Sequence, residues 1–289
     1  MPTNEPTTKR TRTKRSAEAT PSAPAAAEGA KKGDSAGDES SLFVNSVEKA
    51  LRVLSVFDAR RRELSLTQIA ALAELDMSAA QRFTHTLTHL NLLRRDAAAK
   101  TYSLSPRMLD FGYQFIAANE LVGLATPFLQ HLSLETEETV NLTLLDGTEI
   151  VFVQRFVSRH VLTPDVIVGT RLPAYCTSSG LAILSALPDD EVREILAKSD
   201  LVPYTQHTIF APDAILKRLE TIRRNGYAHT EDEMYIGDIA TAVVIVGSDG
   251  RPRGAINVAV SRARWKGAED EQRVASLLIA AGRAISSRA

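Results

Sequence analysis

Ser78, Arg82, His85 and His89 recur at intervals of four, three and four. At 3.6 residues per turn this spacing gathers them on one stripe of a helix. Their side chains donate and accept hydrogen bonds and carry positive charge, which suits phosphates and base edges. Ala80, Phe83, Leu87 and Leu90 form a second, apolar stripe. Residues 80 and 82 are about 200° apart on a helix, so the stripes face nearly opposite ways. A short helix with one core face and one hydrogen-bonding face, followed at once by Arg94 and Arg95, has the make-up of a helix that enters the DNA major groove. Its first turns would bring Ser78, Gln81, Arg82 and His85 to phosphates and bases, arginine suiting guanine and glutamine adenine. Ala79 and Ala80 would let the backbone approach, and Arg94, Arg95 and Lys100 would hold phosphates.

A different chemistry is conceivable at Cys176. A nucleophilic cysteine needs a histidine and an orienting Asn or Asp nearby in space. His160, His207 and His229 share its half of the chain, so a cysteine-dependent enzyme stands as the alternative reading. Against it, a lone cysteine in a turn of small residues is usually inert packing, and no second cysteine exists to resolve a redox intermediate. No catalytic residue, metal ligand or cofactor is expected. The six histidines and the cysteine are scattered, without the spacing of a zinc cluster.

These groups need elements to position them. "NSVEKALRVLSVF" carries a helical apolar stripe from Val47 to Phe57, with Asn45 as expected N-cap. Ser65 with Gln68 and Ser78 with Gln81 both fit capping boxes, so two helices start 13 residues apart around a turn at Leu75–Met77. That is a helix-turn-helix pattern. "NLLRRDAAAKTYSLS" reads as two short strands around Asp96–Ala99, the hairpin wing of a winged helix. Pro106 opens a helical stretch and Pro127 starts or kinks a later one, giving a linker helix over 106–131. Beyond it, hairpins at Asp146-Gly147 and Ser248–Gly250 alternate with helices, one of them stopped by Gly226. The expected fold class is α+β, with a mostly antiparallel sheet in the second domain. The expected divisions are a disordered basic tail at 1–40, a winged helix-turn-helix at 41–105, the linker helix at 106–131 and a second domain at 132–289.

Charge follows the same division. The 289 residues have a net charge of −1, yet residues 41–107 alone are net +4 and residues 108–289 net −6. Basic residues ahead of an acidic body suggest that only the first part meets a polyanion. In the tail, "TKRTRTKR" could add nonspecific phosphate contacts. One cysteine and no long apolar run fit a cytoplasmic protein with no membrane span.

The segments "SVEKALRVLSVF", "LSLTQIAALAELDMSAAQRFTHTL", "VGTRLPAYCTSSGLAIL" and "RRNGYAHTEDEMYIGDIATAVVIVGSDGRPRGAINVAVS" resemble the IclR family of bacterial transcription factors, over about residues 42–287. The resemblance implies an N-terminal winged helix that binds an operator in double-stranded DNA. It implies a C-terminal domain similar to GAF domains that binds a small carboxylate effector, and homodimers that pair into tetramers. "VGTRLPAYCTSSG" looks most like the branch governing aromatic-acid breakdown. Carried over by motif, the effector residues would be Ser178 and Ser179 at a helix start, then Thr230, Ala240 and Asn257. Some relatives have an acid, a cysteine and a serine at the last three positions. Arg171, before the Leu-Pro turn, reads as a surface ion pair, and the acidic run at 231–233 as a solvated segment.

Overall fold

The computed structural model describes residues 42–160 and 166–289. The expected tail and its basic run lie outside the described residues.

The N-terminal part packs α1 (Asn45–Ser55), α2 (Leu66–Leu72) and α3 (Met77–His89) against a small antiparallel sheet. The sheet joins β1 (Leu64–Ser65), β3 (Thr101–Leu104) and β2 (Leu93–Asp96), in that order. Val53, Phe57, Ile69, Leu87, Leu93 and Tyr102 fill its core. The Ser65–Gln68 capping box forms as expected. The second one does not. Asp76 is the N-cap of α3 and accepts the Ala79 N–H at 2.8 Å, which leaves Ser78 pointing outward. Asn45 likewise begins α1 without capping it. The interhelical turn lacks glycine and is made by Glu74 at φ 52°.

The wing turn is explained by Asp96, not by its alanines. The Asp96 carboxylate accepts the N–H groups of Ala98 and Ala99 at 2.8 and 2.9 Å, and Lys100 closes the turn in the left-handed region.

Where one linker helix was expected there are two, α4 (Met108–Ala118) and α5 (Glu120–Thr136). Asn119 is extended and its side chain caps α5 through the Val122 N–H, so the chain restarts there. Pro127 lies inside α5 and does not start a helix. The buried row Leu121, Val122, Ala125, Leu129 and Leu132 runs past it on both sides, and this packing outweighs one lost backbone hydrogen bond.

The C-terminal sheet is antiparallel throughout its six strands. They are β4 (Thr139–Asp146), β5 (Glu149–Phe156), β6 (Arg171–Pro173), β7 (Ala228–Glu231), β8 (Asp238–Val246) and β9 (Pro252–Ser261). Their spatial order is β6-β5-β4-β9-β8-β7. One face, with Val140, Leu142, Val153 and Val258, packs on α5 and α9 (Ala268–Ser286). The other, with Ile150, Phe152 and Ala255, packs on α6 (Ser178–Ser185), α7 (Asp189–Lys198) and α8 (Pro212–Asn225). Gly147 turns the first hairpin at φ 63° and Gly226 ends α8 at φ 78°.

Candidate functional site

Two sites emerge, one in each part of the chain. In the first, α3 buries Ala79, Ala80, Thr84 and Leu87 and turns Ser78, Gln81, Arg82, His85 and His89 outward. Two expectations fail here. Ala79 and Ala80 are core residues, not points of close approach, and Leu90 is half exposed because the helix has ended before it. Gln81, Arg82 and His85 share one groove with Arg95 and Tyr102 of the wing. The Arg95 guanidinium sits 6.0 Å over the Tyr102 ring. Ser78, Arg94 and Lys100 are exposed but outside that groove. Arg82, Arg94, Arg95 and Lys100 form no ion pair with another described residue. Several arginines of the second part differ: Arg171, Arg223, Arg251, Arg262 and Arg264 are paired with carboxylates at 2.6–2.8 Å. The positive charge of α3 and the wing is left available.

The second site is a cavity of ≈ 50 Å³ between α6 and the sheet. Its lining includes all five expected positions: Ser178, Ser179, Thr230, Ala240 and Asn257. Each is at most 6% exposed. Thr177 caps α6 by accepting the Gly180 N–H, and with Ser178 and Ser179 it places the first turn of the helix on the cavity wall. Gly180 itself has no room for a side chain, since a Cβ would fall 2.1 Å from the Ala174 carbonyl oxygen. That contact seats the helix start against the Leu-Pro turn.

The lining also holds polar residues that sequence reasoning missed: Asn141, Arg155, Glu233 and Asp238. Glu233 is neutralised in place by a two-pronged pair with Arg218 at 2.6 and 2.7 Å. The acidic run at 231–233 is therefore not a solvated segment. Asp232 and Glu233 are buried, and Arg262 binds both Glu231 and Asp232. Arg155 donates to the Val166 carbonyl and lies 5.5 Å over the Phe152 ring, while its Nε is buried without a partner. Burial holds the Arg155 pKa below its usual value, partly offset by the nearby Asp238. Burial, helped by Asp232, pushes the Asp238 carboxyl up to about 7, with Arg155 working against the rise.

Arg155 escaped notice for a geometric reason. A β-bulge between Leu142 and Thr143 of β4 and the facing strand leaves Val153 without a partner. Strict alternation after Ile150 and Phe152 would send Arg155 to the opposite face. The extra residue returns it to the cavity, while Val153 and Gln154 turn toward α5.

Cys176 lines the same cavity, fully buried, and burial pushes its thiol up to about 12. A protonated thiol is a poor nucleophile, which removes the chemical basis for the enzyme reading. Arg171 forms the surface ion pairs expected of it, to Asp146 at 2.6 Å and Glu149 at 2.7 Å.

Comparison with known proteins gives a consistent result. Residues 113–287 match the family model described as the bacterial transcriptional regulator IclR C-terminal domain. Residues 46–97 match the IclR helix-turn-helix domain. The chain is 33% identical over 242 residues to the Pca regulon regulatory protein of Pseudomonas putida, covering 83% of this chain and 82% of that one. It is 30% identical over 220 residues to the p-hydroxybenzoate hydroxylase transcriptional activator of Acinetobacter baylyi, covering 74% and 80%. The crystal structure of the Thermotoga maritima IclR superposes with a TM-score of 0.68 at 25% identity, covering 84% and 98%.

Proposed function

The chain belongs to the IclR family of DNA-binding bacterial transcriptional regulators, and from that premise we propose that it controls a catabolic operon in response to a small, aromatic carboxylate. It acts in the cytoplasm as a homodimer. Ser78, Gln81, Arg82 and His85 enter the major groove, and Arg94, Arg95 and Lys100 hold the flanking phosphates. The observation that carries the reading is the cluster of exposed cations on α3 and the wing, with Arg82 and Arg95 sharing one groove and neither held in an ion pair with a described residue. Ser178, Ser179, Thr230, Ala240 and Asn257 bind the effector. The aromatic class is supported by the name of the Acinetobacter relative, an activator for p-hydroxybenzoate hydroxylase.

The dimer is supported by α4. Leu109, Phe111, Tyr113 and Phe115 are all more than half exposed, and no residue of α4 is buried. A helix that exposes this much apolar surface is stabilised when it is covered. A second copy of the same helix would cover it and set two winged helices at a two-fold spacing.

The cavity suggests how ligand and DNA communicate. At ≈ 50 Å³ it has room for roughly four waters, less than an aromatic acid needs. Such an acid must enlarge the cavity, so it favours one arrangement of the molecule over another. Footprinting on the upstream DNA of its own gene tests the reading. Two protected half-sites about one helical turn apart are expected, with protection altered by an aromatic acid. Uniform or absent protection would sink it.

A further inference from the structure

Three polar residues cross the cavity face in register. Arg155 on β5 pairs with Asn141 on β4, and Asn141 pairs with Asn257 on β9. They form one rung across three adjacent strands, otherwise bordered by Ile150, Phe152, Ala240 and Ala259. Asn141 donates from Nδ2 to Asn257 Oδ1 at 3.1 Å. That single bond leaves Asn141 Oδ1 buried and unpartnered, in a residue only 2% exposed. Next along the rung, Arg155 Nε is buried and unpartnered too.

Both vacancies are costly. A buried acceptor or cationic donor without a partner loses its hydration and gets nothing in return. Among the described lining residues Arg155 is the cation, and the two acids do not cancel it. Glu233 is bound by Arg218, and Asp238 makes no ion pair with Arg155. A guanidinium that has a carbonyl and a ring but no ion pair calls for a carboxylate, which it binds with parallel charge-assisted bonds. The asparagine pair, once internally bonded, still offers an acceptor from Asn141 and an amide donor from Asn257. A hydroxyl satisfies both at once.

We propose that Arg155 is the carboxylate anchor of the effector and that Asn141 with Asn257 reads a hydroxyl on the same molecule, so the effector is a hydroxylated acid. The inference rests on the effector reading above and adds to it the charge partner and the functional group. The apolar residues on either side of the rung accommodate the carbon frame between the two polar ends.

The test is calorimetric titration of the full-length protein with benzoate, its three monohydroxy derivatives and 3,4-dihydroxybenzoate. The wild type should bind at least one hydroxylated acid more tightly than benzoate. Arg155→Gln should weaken hydroxylated and plain acids alike, by about tenfold to a hundredfold, and Arg155→Lys should recover part of the loss. Asn141→Ala should weaken the hydroxylated acid by about tenfold and leave benzoate nearly unchanged. Circular dichroism melts would show that each variant is folded, and Arg155→Lys decides if Arg155→Gln is not. Equal acid binding by folded Arg155 variants and wild type would overturn the anchor. An equal loss for benzoate and hydroxybenzoate in Asn141→Ala would overturn the hydroxyl reader, marking Asn141 as packing. Wild-type protein that binds none of these acids would overturn the effector reading itself, and this inference with it.

Discussion

At the scale of single residues, the two sites differ in how charge is held. Arg82 is exposed on α3 and in no ion pair with a described residue, so in the proposed reading its guanidinium would meet DNA without first breaking one. Arg82→Ala should cost about 1–3 kcal/mol of operator affinity and relax the choice of base at one position. Lys100→Ala should weaken all DNA sequences about equally and reduce the salt slope by about one. Fluorescence anisotropy on matched and mutated operators separates the two outcomes. Asp238 gives a pH signature. Its folded pKa of about 7 lies above the ordinary carboxylate value, because of burial and Asp232. The native state then holds the proton more tightly than the unfolded chain, and stability falls as pH rises from about 4 through 7. Asp238→Asn should therefore be more stable than wild type at pH 8, by about 1 kcal/mol or more, with the gap closing near pH 4. Chemical denaturation at the two pH values measures it. Cys176, buried and with its thiol pushed up to about 12, should react with a thiol reagent only after unfolding. Fast labelling of native protein at pH 8 would contradict that.

At the scale of elements, the helix start of α6 depends on backbone contact. Gly180→Ala would drive a Cβ to 2.1 Å from the Ala174 oxygen, a clash with main chain that no rotamer relieves. It should destabilise the C-terminal domain by about 3 kcal/mol or more, read as a lower melting temperature, and abolish acid binding. Elements with strong local signals were legible in the sequence: the Ser65 capping box, the Asp146-Gly147 hairpin and the Gly226 stop. The α3 stripe was legible as far as His89, because apolar Ala80, Phe83 and Leu87 repeat at helical spacing. Other features depend on partners distant in the chain. Arg155 reaches the cavity through a bulge that only pairing with β4 creates, and Asn141 is defined by what β9 places beside it. Asp76 displaced Ser78 as N-cap because both are good caps two residues apart, a choice settled by the turn before them. Of the two roles expected of Pro127, starting a helix is excluded by its place inside α5, where packing on the sheet overrides a strong local breaker.

At the scale of the whole molecule, acidic body and basic reading head are separate jobs on one chain, linked by α4 and α5. The exposed apolar surface of α4 predicts self-association. Phe111→Asp with Phe115→Asp should shift the protein toward monomer in sedimentation and weaken operator binding, since one winged helix then reads only half a site. The central claim is that one molecule couples an acid in the cavity to selective DNA binding. Its most direct test is anisotropy of purified protein on its own upstream DNA against scrambled DNA, over a salt series, with and without aromatic acids. The account predicts tight, sequence-selective binding that at least one acid alters. Equal binding to scrambled DNA at every salt concentration, or no binding at all, would contradict it.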